Sequence, residues 1–159
     1  KKADVPLLYW TAASWGGVIS LSKDNPEIIG QMPAMEAMID RAMELDETFQ
    51  NGTLHTFMIS LEMARPSKGG DPETRARQHF ARAVELSKGQ DASPYVALAE
   101  AVTIKKQNVK EFDELLSKAL AVNPDAHPEN RLLNTVIQRR ARWLLSRKSD
   151  LFLTEEPQQ

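Results

Sequence analysis

Three stretches of the chain repeat one another. Ile39-x-x-Ala42-Met43-x-Leu45-Asp46 matches Phe80-x-x-Ala83-Val84-x-Leu86-Ser87, and Leu116-x-x-Ala119-Leu120-x-Val122-Asn123 matches both. The alanines stand 41 and 36 residues apart, against a period of about 34 for a tetratricopeptide unit. Each match falls late in a segment of helical periodicity and ends at a polar stop residue. A small residue there lets two helices of a pair approach closely. This pattern predicts an all-α chain built as a short tetratricopeptide-like solenoid of helix pairs. An irregular helical bundle is the alternative.

Helix punctuation agrees. Asn25-Pro26, Asp71-Pro72 and Ser93-Pro94 each set a capping residue before a proline at the first helical position. Asn108-x-x-Glu111 has the spacing of a capping box. Gly52, Gly69-Gly70 and Gly89 follow periodic segments, where helices stop. Helices are predicted near 6–22, 33–47, 53–65, 72–87, 94–106, 109–122 and 128–149, with a short turn at 26–31. The last is read as a long capping helix. No stretch alternates with period two, so no strand is predicted. Residues 1–150 are expected to form one helical-repeat domain, and 151–159 a loosely held tail.

Composition narrows the function. The 159 residues carry 20 basic and 22 acidic side chains, a net charge of −2, so the chain has no general electrostatic attraction for nucleic acid. Cysteine is absent, which removes disulfides, thiolate catalysis and Cys-based metal sites. Val5–Ser22 carries no charge, but Pro6, Thr11, Ser14, Gly16 and Gly17 interrupt it, and it reads as a buried helix rather than a membrane span or signal peptide. There is no Gly-rich phosphate loop, no nucleophile elbow and no zinc-protease motif. His55, His79 and His127 lack metal-ligand spacing, so no metal and no cofactor are expected. The chain reads as a non-enzyme.

Several residues still invite a role. The first helix is apolar on two sides, with Leu8, Ala12, Trp15 and Ile19 on one stripe and Trp10, Gly17 and Leu21 on another. Either tryptophan is core or faces a partner. All six methionines lie between Met32 and Met63, as core filling, as an apolar ligand surface or, least simply, as a soft-metal site. His79 reads as a surface residue. His55 and Glu62, seven apart on one helical face, read as a surface pair. In the last helix Leu132, Leu133, Val136, Ile137, Trp143 and Leu144 define an apolar arc with Arg140 near its middle. A desolvated Arg140 needs an acid, and Glu100 is the candidate; otherwise Arg140 extends along the arc to water. First helices of helix pairs tend to line the concave side, so Trp10, Trp15, His55 and Tyr95 are expected to border one groove, with Tyr9 in the same aromatic group.

Tyr9-Trp10, Ser14-Trp15-Gly16, Leu54-His55-x-Phe57, Pro94-Tyr95-Val96 with Ala99-Glu100, Asn130-Arg131-Leu132 and Gln138-Arg139-Arg140-Ala141-Arg142-Trp143-Leu144-Leu145 together resemble the T component of tripartite ATP-independent periplasmic (TRAP) transporters. The resemblance runs from Leu8 to Leu151. It implies a periplasmic, tetratricopeptide-like lipoprotein, tethered through a lipidated cysteine upstream of Lys1, since no lipobox lies within these residues. It implies association with the periplasmic substrate-binding (P) component, a homotrimer, and a small hydrophobic organic ligand. The function expected is a non-enzymatic accessory of solute uptake that docks the P component and guides its ligand; the alternative is a generic tetratricopeptide adaptor that binds a peptide in its concave groove.

Overall fold

In the computed structural model, residues 1–65 and 69–153 are described, and every regular element among them is helical. The elements are α1 (Val5–Leu21), α2 (Pro26–Ile29), α3 (Met32–Asp46), α4 (Thr53–Ala64), α5 (Pro72–Leu86), α6 (Ser93–Leu98), α7 (Val109–Ala121), α8 (Arg131–Ser146) and α9 (Lys148–Leu151). Short 3-10 turns precede α1, α4 and α8. Helix α1 packs on α3, α4 on α5, and α6 on α7, while α8 lies against α6 and α7. None of the helices among the described residues is long and apolar enough to cross a membrane.

The caps are local chemistry. Asn25 accepts from the backbone N–H of Glu27 at 3.1 Å, Asp71 from Thr74 at 2.8 Å and Asn108 from Glu111 at 3.1 Å. Ser93 is different. The helix begins one residue earlier than its hydroxyl could cap, and Asp91 accepts from the Ser93 N–H instead, at 2.8 Å. Helix α6 then passes into a π-helical segment, Ala99–Thr103, in which Ile104 N–H reaches back five residues to Ala99.

The repeat alanines Ala42, Ala83 and Ala119 are all buried. At Ala83 the reason is explicit. A Cβ on Gly52 would stand 3.2 Å from Ala83 Cα, and Gly52 itself has φ +99. Backbone therefore meets backbone where α4 begins, at a conformation that glycine takes without strain.

Two apolar clusters share α4. Leu54, Met58 and Leu61 face Val5, Ala12, Ile19, Met35, Ile39 and Ala42. Ile59 faces Val96, Val102, Phe112, Leu116 and Leu144 in the other cluster. Phe152 joins that second cluster, its ring edge-on to Phe112 at 4.9 Å. The segment expected to be a loose tail is thus anchored at its start, and residues 154–159 lie outside the described ones.

Of the apolar arc of α8 only Leu144 is buried. Asn134, Gln138, Ala141 and Leu144 are buried, while Leu132, Leu133, Val136 and Trp143 are exposed. Amides dock this helix. Gln138 Nε2 donates to the carbonyls of Ala119, Leu120 and Val122, at 2.7 Å for the last, and so satisfies the carbonyls left open at the end of α7. Asn134 accepts from Ala92 N–H at 2.9 Å and donates to Gln90 O at 3.0 Å.

Candidate functional site

Four helices turn one stripe each toward a common groove of about 350 Å³. Helix α1 offers Tyr9 and Trp10, and α4 offers Thr53, Thr56, Phe57 and Ser60, spaced as one helical face. Ser93, Val96, Ala97 and Glu100 come from α6 and its π extension, and Leu133, Ile137 and Arg140 from α8. Helices α1, α4 and α6 are each packed against a later helix, α3, α5 and α7, and α8 lies against α6 and α7. Trp10 keeps 56% of its surface exposed, a large apolar side chain left open at the groove edge. Its ring meets Tyr9 edge-on at 5.0 Å, and Tyr9 in turn meets Phe57 at 6.3 Å.

At the opposite wall Arg140 donates to Glu100, with Nε to Oε1 at 3.0 Å and a second bond from Nη2. The pair is as the sequence placed it, but its environment is not. The Arg140 side chain is 46% exposed, because the arc around it faces solvent. Its guanidinium lies over the Trp143 ring at 4.2 Å, a cation–π contact. Ser93 Oγ is buried in this wall without a hydrogen-bond partner.

Trp15, His55 and Tyr95 do not line the groove. Trp15 packs against the first apolar cluster and donates from Nε1 to Gln31 at 2.9 Å. Tyr95 stacks edge-on with Phe80 at 5.6 Å, and burial raises its hydroxyl pKa. His55 is buried on the other side of α4. Groove residues that the sequence reading missed, Thr56, Ser60 and Ser93, are small and polar. Their only signal was the regular i, i+3, i+7 spacing of Thr53, Thr56 and Ser60.

That far side of α4 holds a buried polar network instead of the expected surface pair. His55 and Glu62 are both buried, and they bond different partners. His55 Nε2 lies 3.2 Å from Glu47, and its Nδ1 lies 2.9 Å from Nδ1 of His79. With both rings neutral, His55 donates to Glu47 and accepts from His79. Burial pulls the pKa of His55 down against the opposing pull of Glu47. Burial, with the neighbouring His55, pushes His79 down to about 4. His79 is therefore no ordinary surface residue. Burial favours the neutral form of Glu62, but bonds from Arg65 (2.6 Å) and Arg75 outweigh it and hold the carboxyl below its usual value. Asp40 on α3 also receives Arg65, at 3.3 Å, so the network ties α3 to α4 and α5. No group of three or more His, Cys, Asp or Glu among the described residues could hold a metal.

The arrangement offers aromatic surface, hydroxyls and one ion pair around a groove. Comparison with known proteins supplies a family. An uncharacterised protein of Treponema pallidum (strain Nichols) is 29% identical over 152 residues, covering 96% of this chain and 47% of the relative. The chain thus spans about half the length of the curated relative it matches. The family model of the TRAP transporter T-component matches residues 1–152, and the chain belongs to that family.

Proposed function

We propose that this chain is a non-enzymatic accessory of a TRAP-type solute uptake system, and that it docks the periplasmic substrate-binding protein across the groove of α1, α4, α6 and α8. The observation that carries this is Trp10, largely exposed at the edge of a groove to which four helices each contribute one stripe. Exposed aromatic anchors beside a partly desolvated cavity are what binding interfaces use. In this reading the chain works as one helical-repeat domain to about residue 150, its pairs stacked as a short solenoid. It acts in the periplasm, held to the membrane by a lipid anchor upstream and assembled as a homotrimer, and passes a small hydrophobic organic ligand to or from its partner.

The test is co-sedimentation with a substrate-binding protein encoded next to the gene, with and without solute. A complex that dissolves on Trp10→Ala, with the helical spectrum retained, is the expected result. No association at any solute loading would overturn the docking reading. The same sedimentation run reports the oligomer, and a monomer at high concentration would overturn the trimer.

A further inference from the structure

Two other cavities flank the groove, and all three share walls along α4. Beyond Phe57 and Ser60 lies a mainly apolar pocket of about 570 Å³, walled by Ile19, Met32, Met35, Leu61 and Ala64, with the exposed Lys23 also on its wall. On the other side, past Gln50, Thr53 and Leu133, lies a polar cavity of about 500 Å³, walled by Asn51, Lys88, Gln90, Asp91, Glu129 and Asn130. Phe57 and Ser60 border both the groove and the apolar pocket; Gln50, Thr53 and Leu133 border both the groove and the polar cavity. The polarity therefore changes in one direction along one helix.

We infer that these cavities form one graded track for a single-chain amphiphile with an uncharged, hydrogen-bonding head. The tail lies among Met32, Met35 and Ile19, and the head among the amides and charges around Lys88 and Asp91. Methionine suits the tail end, since its flexible thioether adapts to varied apolar shapes. The head end sets one cation, Lys88, against two acids, Asp91 and Glu129, so a carboxylate head meets net negative charge there. Gln50, Asn51 and Lys88 hold left-handed backbone at φ 44, 54 and 52, strain that gathers at the walls of the polar cavity. The partnerless Ser93 hydroxyl lies midway, where a ligand oxygen would satisfy it.

Phe57 is the wall shared by the groove and the apolar pocket, with the exposed Ser60 beside it. A Cβ on Gly16 would come within 3.3 Å of the Phe57 Cζ, so glycine there leaves the ring the space it occupies. Thr53 to Ala64 spans eleven steps of α4, about 16 Å at the helical rise. An extended hydrocarbon advances about 1.25 Å per carbon given bonds near 1.5 Å, so about 12–14 carbons fill the track. This assignment builds on the groove named above as the functional surface, but it needs no partner protein. Its failure and the failure of docking are therefore separable.

The experiment is calorimetric titration of the whole chain, without partner, with 1-monoacylglycerols of six to sixteen carbons below their aggregation thresholds. Affinity should climb about fourfold per methylene and stop climbing at about 12–14 carbons. Ser60→Trp, at an exposed wall position, should weaken the twelve-carbon ligand at least tenfold and leave the six-carbon one unchanged. Ala64→Trp, at the far end, should lower the chain-length ceiling by a few carbons, and it carries the test if Ser60→Trp fails to fold. Dodecanoate and dodecyltrimethylammonium should bind at least tenfold more weakly than the glyceride. No binding at any length, no ceiling, no response to either tryptophan, or tighter binding of dodecanoate would each overturn the assignment.

Discussion

Arg140 and Glu100 form an ion pair 40 residues apart in sequence, joined at 3.0 Å through Nε, with 46% of the Arg140 side chain in solvent. Glu100 reaches it from the π-helical segment that extends α6, a register shift that aims the carboxylate along the groove wall. Water screens the pair, so Arg140→Ala should cost no more than about 1 kcal/mol. A double-mutant cycle with Glu100→Ala, read by urea unfolding, checks this. A loss of about 3–5 kcal/mol would mean the pair is desolvated in solution.

Ala83 is set against the Gly52 backbone, with 3.2 Å between its Cα and the place a Gly52 Cβ would take. Ala83→Leu should therefore destabilise by roughly 1–3 kcal/mol through overpacking. Gly52→Ala should also destabilise, because its φ of +99 disfavours any Cβ. Denaturant midpoints measure both. Neutral behaviour at the two positions would show that α4 and α5 do not close here.

Stability should depend on pH through His79. Its pKa is pushed down to about 4 by burial and by His55, against an ordinary value of about 6.5. The unfolded chain binds a proton there that the folded chain refuses. Stability is thus whole above pH of about 6.5, falls as pH drops toward 4 and levels below it, a loss of up to roughly 3 kcal/mol. The depressed carboxylates Glu47 and Glu62 add their own loss only at lower pH, from the ordinary carboxylate range downward. Urea midpoints between pH 8 and 5 should fall for the wild type and fall less steeply for His79→Gln, in which the depressed His55 still contributes. An unchanged slope in the variant would assign the effect to other groups.

The helices were legible because their signals are local. Asn25-Pro26 and Asp71-Pro72 mark starts, and the three matched alanines are all buried. Of the residues expected at the groove only Tyr9 and Trp10 line it; Glu100 and Arg140, expected as a structural pair, also stand on its wall. Tyr95 and Trp15 read as anchors because aromatic bulk looks the same in sequence whether it meets Phe80, Gln31 or solvent. The face of α8 was misread because Gln138 and Asn134 are buried to satisfy carbonyls that only the folded α7 and the turn before α6 present. His79 was misread since the groups it faces, His55, Glu62, Arg65 and Asp40, are 14 or more residues away.

The most direct test of the account is the affinity of Trp10→Ala for the substrate-binding protein. Calorimetry should show a loss of roughly 2 kcal/mol or more, about thirtyfold, with the melting temperature unchanged. Tyr95→Ala should do the reverse, lowering the melting temperature while each folded molecule binds as before, because its ring packs on Phe80 away from the groove. Wild-type affinity in Trp10→Ala, or a loss of affinity in Tyr95→Ala equal to that in Trp10→Ala, would contradict the assignment of this groove as the docking surface.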